Sequence, residues 1–304
     1  MDGTNHLARG RSRLDNPSAI CDLAAVRLKT MSFILLACAL TGTSVGAQTQ
    51  DAPLISDRFG ILGGAYFTGL KTSFQAGGAH SIGTVIDLER DLDLSSQSSS
   101  GWVNVFYRLN PRHMVDLTVT GIRRTGTRVV DRNIVFKDYQ FSTNTDVHST
   151  FDSRLYGIGY RYSFLNDGRV ETGVTTGIST FQYDLSLDGQ ASLADGSGGG
   201  TTQFRHNSGK ILAPIPSVGI FTSCALRQKL VLYGAMSVFM VDVGSVSGHM
   251  IDGRFALHYF PLRHVGIGLG FAGTGVGLKY GTDTETVGAD YSYAGWTATL
   301  DLTH

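Results

Sequence analysis

Leu155-Tyr-Gly-Ile-Gly-Tyr-Arg-Tyr-Ser-Phe-Leu-Asn-Asp-Gly-Arg-Val-Glu-Thr-Gly-Val-Thr-Thr-Gly-Ile-Ser179 is the stretch whose reading decides the fold. Through Phe164 the large residues occupy even positions (Tyr156, Ile158, Tyr160, Tyr162, Phe164), while Gly157, Gly159, Arg161 and Ser163 occupy odd ones. That is the period of a β-strand, whose successive side chains point to opposite faces. Asn166-Asp167-Gly168 then provides a tight turn, because Asn, Asp and Gly tolerate the positive φ a hairpin needs. A second alternating run sets Val170, Val174 and Ile178 against Glu171, Gly173, Gly177 and Ser179. One face of the hairpin is greasy and aromatic, and the other is glycine, hydroxyl and charge. A small, polar face cannot be a soluble core, so the aromatic face is the one expected to meet lipid.

Composition agrees with that choice. Charged residues make up 16% of the 304-residue chain, against roughly 25% in soluble domains, and 39 glycines are nearly double the usual share. The mean hydropathy of +0.02 argues against disorder, yet no apolar run after residue 47 is long enough for a membrane helix. Low charge, abundant glycine and 28 Phe and Tyr together, without a helical span, predict a transmembrane antiparallel up-and-down β-barrel. Zero formal net charge carries no nucleic-acid footprint.

Residues 27–47 read as a secretory signal. Arg27 and Lys29 flank the apolar run Phe33–Leu40, and Val45-Gly-Ala47 fits a small-x-small cleavage site. The expected organisation is an N-terminal extension and cleaved signal peptide over 1–47 and one barrel domain over 48–304. Cys21 and Cys38 fall in the leader, leaving Cys224, which has no cysteine partner and no metal-ligand spacing around it.

Down the chain, alternating runs are joined alternately by short and long connections. Ten strands are predicted, at about 58–75, 102–109, from Met114, the opening pair, 210–225, 229–243, 249–260, Val265–Phe271 and a last run through Leu302; eight is the alternative count. Short periplasmic turns opposite longer external loops are the asymmetry of bacterial outer-membrane barrels. Residues 129–148 are expected to form a protruding hairpin, 186–209 a glycine-rich loop, and Ile86–Leu94 a strand reaching beyond the membrane. Pro214 and Pro216 fit poorly in a central strand, since each removes a ladder donor. Tyr107, Tyr162, Phe164 and Tyr259 lie beside short turns, as an interfacial girdle would.

Three pieces, Gly83–Leu94, Asp131–Phe136 and Tyr160–Phe164, resemble an uncharacterised family of proteobacterial outer-membrane β-barrel proteins. The resemblance spans most of 58–303 and implies a single barrel in the bacterial outer membrane, without implying an activity. One departure is the ending Leu302-Thr-His304, where such chains usually carry an aromatic residue recognised during barrel insertion.

The candidate site is a set of charges on the small-residue face near the short turns: Arg108, Asp116, Arg161, Glu171, His258 and Asp301. At one level inside a narrow barrel they are expected to pair, because an unpaired buried charge is very costly. Such a layer either plugs the lumen or constricts a channel. A ten-stranded barrel has an interior that side chains largely fill, so a structural or surface-interaction role is expected first. A narrow channel for a solute or small apolar ligand comes second, and a hydrolase acting on lipid A or peptides third. For the hydrolase, His148-Ser149 with Asp146 or Asp152 is the arrangement to consider, although neighbours on a strand face opposite ways. Asp87, Glu89, Arg90, Asp91 and Asp93 could bind a cation, but the apolar residues alternating with them read as structure. Gly268-Leu-Gly-Phe-Ala-Gly273 matches a phosphate-loop pattern inside a strand, where no helix follows to hold a phosphate. No cofactor or metal is expected. The expected partners are outer-membrane lipid, lipopolysaccharide and the barrel-insertion machinery.

Overall fold

The computed structural model describes residues 57–78, 81, 83–193, 203–243, 246–281 and 286–304. The proposed signal segment and the Gly196–Gly200 run lie outside the described residues. Thirteen strands are described: β1 (Phe59–Ala76), β2 (Ile86–Asp87), β3 (Gln97–Asn110), β4 (His113–Val129), β5 (Ile134–Phe136), β6 (Tyr139–Phe141), β7 (Asp146–Asn166), β8 (Val170–Leu193), β9 (Gln203–Arg227), β10 (Leu230–Val243), β11 (Val246–Leu262), β12 (Val265–Gly281) and β13 (Thr286–Thr303). One short helix, α1 (Leu88–Asp91), follows β2.

Ten of these strands close a ring in the order β1-β3-β4-β7-β8-β9-β10-β11-β12-β13, each antiparallel to its neighbours, with β13 returning to β1 from Gly60↔Thr303 to Ala76↔Val287. The fold is a transmembrane antiparallel up-and-down β-barrel, and the ring has ten strands rather than eight. The predicted turn between β7 and β8 forms as its chemistry requires. Gly168 has φ +84°, and the Asp167 carboxylate accepts from the N–H groups of Arg169 (2.9 Å) and Val170 (2.7 Å). These hydrogen bonds, that from Val170 first, hold the exposed Asp167 carboxyl below its ordinary pKa.

Side-chain parity is constant along each strand, but its polarity inverts part-way up. On β7 the odd, inward positions run Ser163, Arg161, Gly159, Gly157 and then Leu155, Phe151, Val147; the outward ones run Phe164 through Tyr156 and then Arg154, Asp152, His148. On β8, inward Glu171–Ser179 give way to Phe181, Tyr183, Leu185 and Leu187, while outward Val174 and Ile178 give way to Asp184 and Asp188. The register places Leu155 opposite Phe181 and Thr120 opposite Leu155, so the change falls at one level on three strands. Below it lies the lipid band, with Ile158 58%, Val218 61%, Ile267 55% and Trp296 58% exposed. Above it the barrel has an apolar core inside, with ion pairs (Arg123–Asp152, Lys210–Asp184) and a His206–Asp188 hydrogen bond outside.

The long connections fold in over that core. Residues 129–148 do not protrude: β5 and β6 pair with each other and lean on β8, and Ile134, Phe136 and Phe141 are fully buried. Thr84 N donates to Val135 O at 2.7 Å, tying this hairpin to the connection from β1. Ile86–Leu94 is likewise not an extended strand. It forms β2 and α1, with Asp87 capping the helix by accepting from Arg90 N, and Ile86, Leu88, Leu92 and Leu94 all point into the core. Most of the expected 186–209 loop is strand, because β8 and β9 continue pairing up to Ala191↔Gln203. The two prolines fit because the β9–β10 ladder reaches only Val218, so that edge of β9 is free at Pro214 and Pro216.

Candidate functional site

Positions of matching parity on six strands bring the six predicted charges into the lower lumen, where they form three pairs. Arg108 on β3 reaches across to Glu171 on β8 in a two-pronged bridge, Nη1–Oε1 2.8 Å and Nη2–Oε2 3.0 Å, with side chains 7% and 3% exposed. Ser163 Oγ donates a further bond to Glu171 Oε1. Arg161 on β7 meets Asp116 on β4 (Nε–Oδ1 3.3 Å) and lies over the rings of Phe221 and Tyr233. Asn104 donates to the other Asp116 oxygen at 3.1 Å. His258 on β11 bonds Asp301 on β13 (Nδ1–Oδ2 2.5 Å) across the intervening β12.

Glycine makes two of these contacts possible. A Cβ on Gly268 would lie 2.8 Å from His258 Nδ1, and one on Gly159 would lie 2.7 Å from Asp116 Oδ1. The phosphate-loop-like run is thus strand interior, and its first glycine makes room for the His258–Asp301 bond.

Two inward-facing cations fall outside the predicted set. Arg124, 4% exposed, pairs with Glu89 of α1 (2.5 Å), donates to Thr72 Oγ1 (2.6 Å) and lies over the Phe151 ring. It clamps the inward-folded connection onto the barrel wall, and it shares the parity of Asp116. Asp91 of the same helix is desolvated, but Arg90, the Asp87 N–H and Arg132 more than offset this and hold its carboxyl below the ordinary range. The acidic run is thereby consumed in a cap and ion pairs, and no group of three or more potential metal ligands gathers among the described residues. The second cation is Arg254, four positions from His258 on the same inward face of β11.

The charge pairs border a cavity of about 170 Å³ that also touches Tyr66, Trp102, Tyr233 and Arg254. Above it the rings of Tyr66, Tyr293 and Tyr291 lie 5.9 Å apart in succession, and then the apolar core begins. The pair His148-Ser149 faces two ways. His148 is exposed and bonds Thr127 Oγ1, whereas Ser149 is fully buried and donates to Gly126 O.

No protein-family model and no curated protein matches the chain. Among solved structures, it is similar to the outer membrane protease OmpT from Escherichia coli, at 10% identity over 81% of this chain and 97% of that one, with a TM-score of 0.50. It also matches the P. putida toluene transporter TodX (9% identity, 86% and 96% covered, TM-score 0.34) and the translocator domain of the autotransporter NalP from Neisseria meningitidis (12%, 95% and 97%, 0.32). The fold is that of the bacterial outer-membrane β-barrels. At such identities the likeness extends to the fold and not to an activity.

Proposed function

We propose that this protein is an integral barrel of the bacterial outer membrane with a structural or surface-interaction role and a closed lumen. The observation that carries this reading is the apolar core across the outer half, where Phe74, Phe136, Phe141, Leu185 and Leu187 are fully buried together with the inward-folded Ile86, Leu88 and Leu92. Such packing opposes the passage of water, and the Arg108–Glu171 bridge spans the lumen below it. The charged outer faces of β4, β7, β8 and β9 above the lipid band suit contact with lipopolysaccharide head groups and their counter-ions. Planar-bilayer recording tests the closure: the purified barrel should show no stable conductance, and an ion-selective step would overturn it. The lower cavity favours a narrow solute or apolar-ligand channel as the second reading, for which conductance should vanish on neutralising Arg161 or Glu171. Hydrolysis ranks behind both, since His148 and Ser149 lie on opposite faces of β7; lipid A or peptide cleavage abolished by His148→Ala would reverse that ranking.

A further inference from the structure

The three lumen pairs leave one cation over. Arg254 makes no hydrogen bond and no ion pair among the described residues, and its Nε is buried without a partner. The carboxylates whose charge reaches it, Asp252 and Asp116, are engaged elsewhere, Asp252 by Thr274 Oγ1 at 2.6 Å and Asp116 by Arg161 and Asn104. Further polar atoms on the same cavity wall are buried and unpartnered, among them Trp102 Nε1, Thr299 Oγ1 and Asp301 Oδ1. Their residues are 8%, 9% and 1% exposed, so lipid and bulk solvent do not satisfy them. Unmet donors and acceptors cluster in this way where a ligand completes the hydrogen bonding, because leaving them empty costs free energy.

From this geometry we infer that the lower lumen is a binding site for a small aromatic monocarboxylate. The charge follows from Arg254, whose planar guanidinium matches a carboxylate in two-pronged fashion. The single charge follows from Asp301 and Glu171, carboxylates on the same wall, which repel a dianion more strongly than a monoanion. The aromatic body follows from the walls, where Tyr66 and Trp102 lie 5.7 Å apart, centroid to centroid, with Tyr233 opposite on β10. The size follows from the cavity, since a void of about 150 Å³ lined by apolar groups accepts benzene. The Trp102 indole N–H and the Thr299 hydroxyl, unpartnered on the same wall, are further donors that a bound carboxylate could engage. The site lies below the tyrosine rings and apolar core, so it leaves the closed outer half undisturbed and is a property beyond the structural role.

Benzoate is the probe. Trp296 faces lipid, so Trp296→Phe leaves Trp102 as the reporter in the detergent-solubilised barrel. Benzoate should quench it saturably and raise the melting temperature, and the neutral isostere benzamide should bind at least tenfold more weakly. Arg254→Gln, which orphans no partner, should keep the heat-modifiable gel shift and lose benzoate affinity at least tenfold. Absence of a saturable benzoate signal, equal binding of benzamide, tighter binding of inorganic phosphate, or unchanged affinity in a folded Arg254→Gln protein would each overturn the assignment. The benzoate–benzamide comparison on the Trp296→Phe protein decides the matter if the Arg254 variant does not fold. Conductance plays no part in this test, so a failure of the closed-barrel reading and a failure of the site are told apart.

Discussion

Replacing Glu171 by Gln changes one oxygen to an amide and tests whether the lumen charges act as coupled pairs. Glu171 accepts two guanidinium bonds from Arg108 and one from Ser163, and the pair is almost wholly removed from solvent. In the Gln variant at most one guanidinium bond survives, while the amide N–H₂ faces the other guanidinium nitrogen, donor against donor. Arg108 stays charged and loses the Glu171 carboxylate, and breaking a buried pair from one side costs about 3–5 kcal/mol. Truncating both partners, Arg108→Met with Glu171→Met, removes that cation as well, and such replacements are often neutral or stabilising. Single substitutions should therefore be severe and the double mild, a coupling of about 3 kcal/mol or more. Equilibrium urea unfolding of the barrel refolded into phospholipid vesicles, followed by tryptophan fluorescence and by the heat-modifiable gel shift, measures Glu171→Gln and all four corners of the cycle built from Arg108→Met and Glu171→Met. If the double variant costs the sum of the singles, or Glu171→Gln lies within about 0.5 kcal/mol of the parent, the pairing argument is refuted.

Three other outcomes follow from the same geometry. Arg161→Ala should destabilise by about 2–3 kcal/mol in the same unfolding assay, less than the loss of Glu171, because its longer and wetter contact leaves Asp116 still held by Asn104. Asp167→Ala should cost about 0.5–1 kcal/mol at neutral pH through the lost turn bonds. Since the folded carboxyl sits below its unfolded pKa, its contribution is present above about pH 4 and fades as pH falls through the folded value, so parent and variant unfolding curves should converge in acid. Ile158→Lys, on the lipid face of β7, should cost about 2–4 kcal/mol in vesicles, whereas Asp152→Lys, six residues up the same face, should cost well under 1 kcal/mol.

The lumen charges were legible because parity is local. Arg161 shares a face with Gly157 and Gly159, and Glu171 with Gly173, so each could be turned inward from its own strand alone. The partners were less legible. Arg108 meets Glu171 with β4 and β7 between them, a relation set by barrel curvature and strand stagger that no single strand encodes. Arg254 and Arg124 had the same parity signal as His258 and Asp116 but lie farther from the short turns, so a criterion based on distance to the turn passed over them. The α1 segment also left a trace. Its buried residues fall at 86, 88, 92 and 94, and the four-residue step from 88 to 92, following an Asp suited to capping, is a helical spacing inside an apparent alternation.

The outer core was hidden for a deeper reason, which also bears on where the membrane lies. Alternation reports that a strand has two unlike faces, but not which face meets protein, because a lipid-facing residue and a core residue are equally apolar. Within β7 the apolar parity is even up to Tyr156 and odd from Leu155 outward, so the strand keeps its twist and register while its surroundings exchange roles. A switch on one strand could reflect a bulge, but none interrupts the β7–β8 ladder there; the register shift lies at Ser163/Leu165. The exchange recurs on β4 between Val119 and Arg123 and on β8 between Ile178 and Asp184, at positions the ladder places side by side. Three strands changing over at one height require a planar boundary in the surroundings, and the hydrocarbon edge of the bilayer is such a plane. The inward-folded β5–β6 hairpin and α1 then follow from it: above that plane the barrel interior is apolar and open to water unless chain covers it, and the hydrophobic effect closes it with the connections nearest to hand.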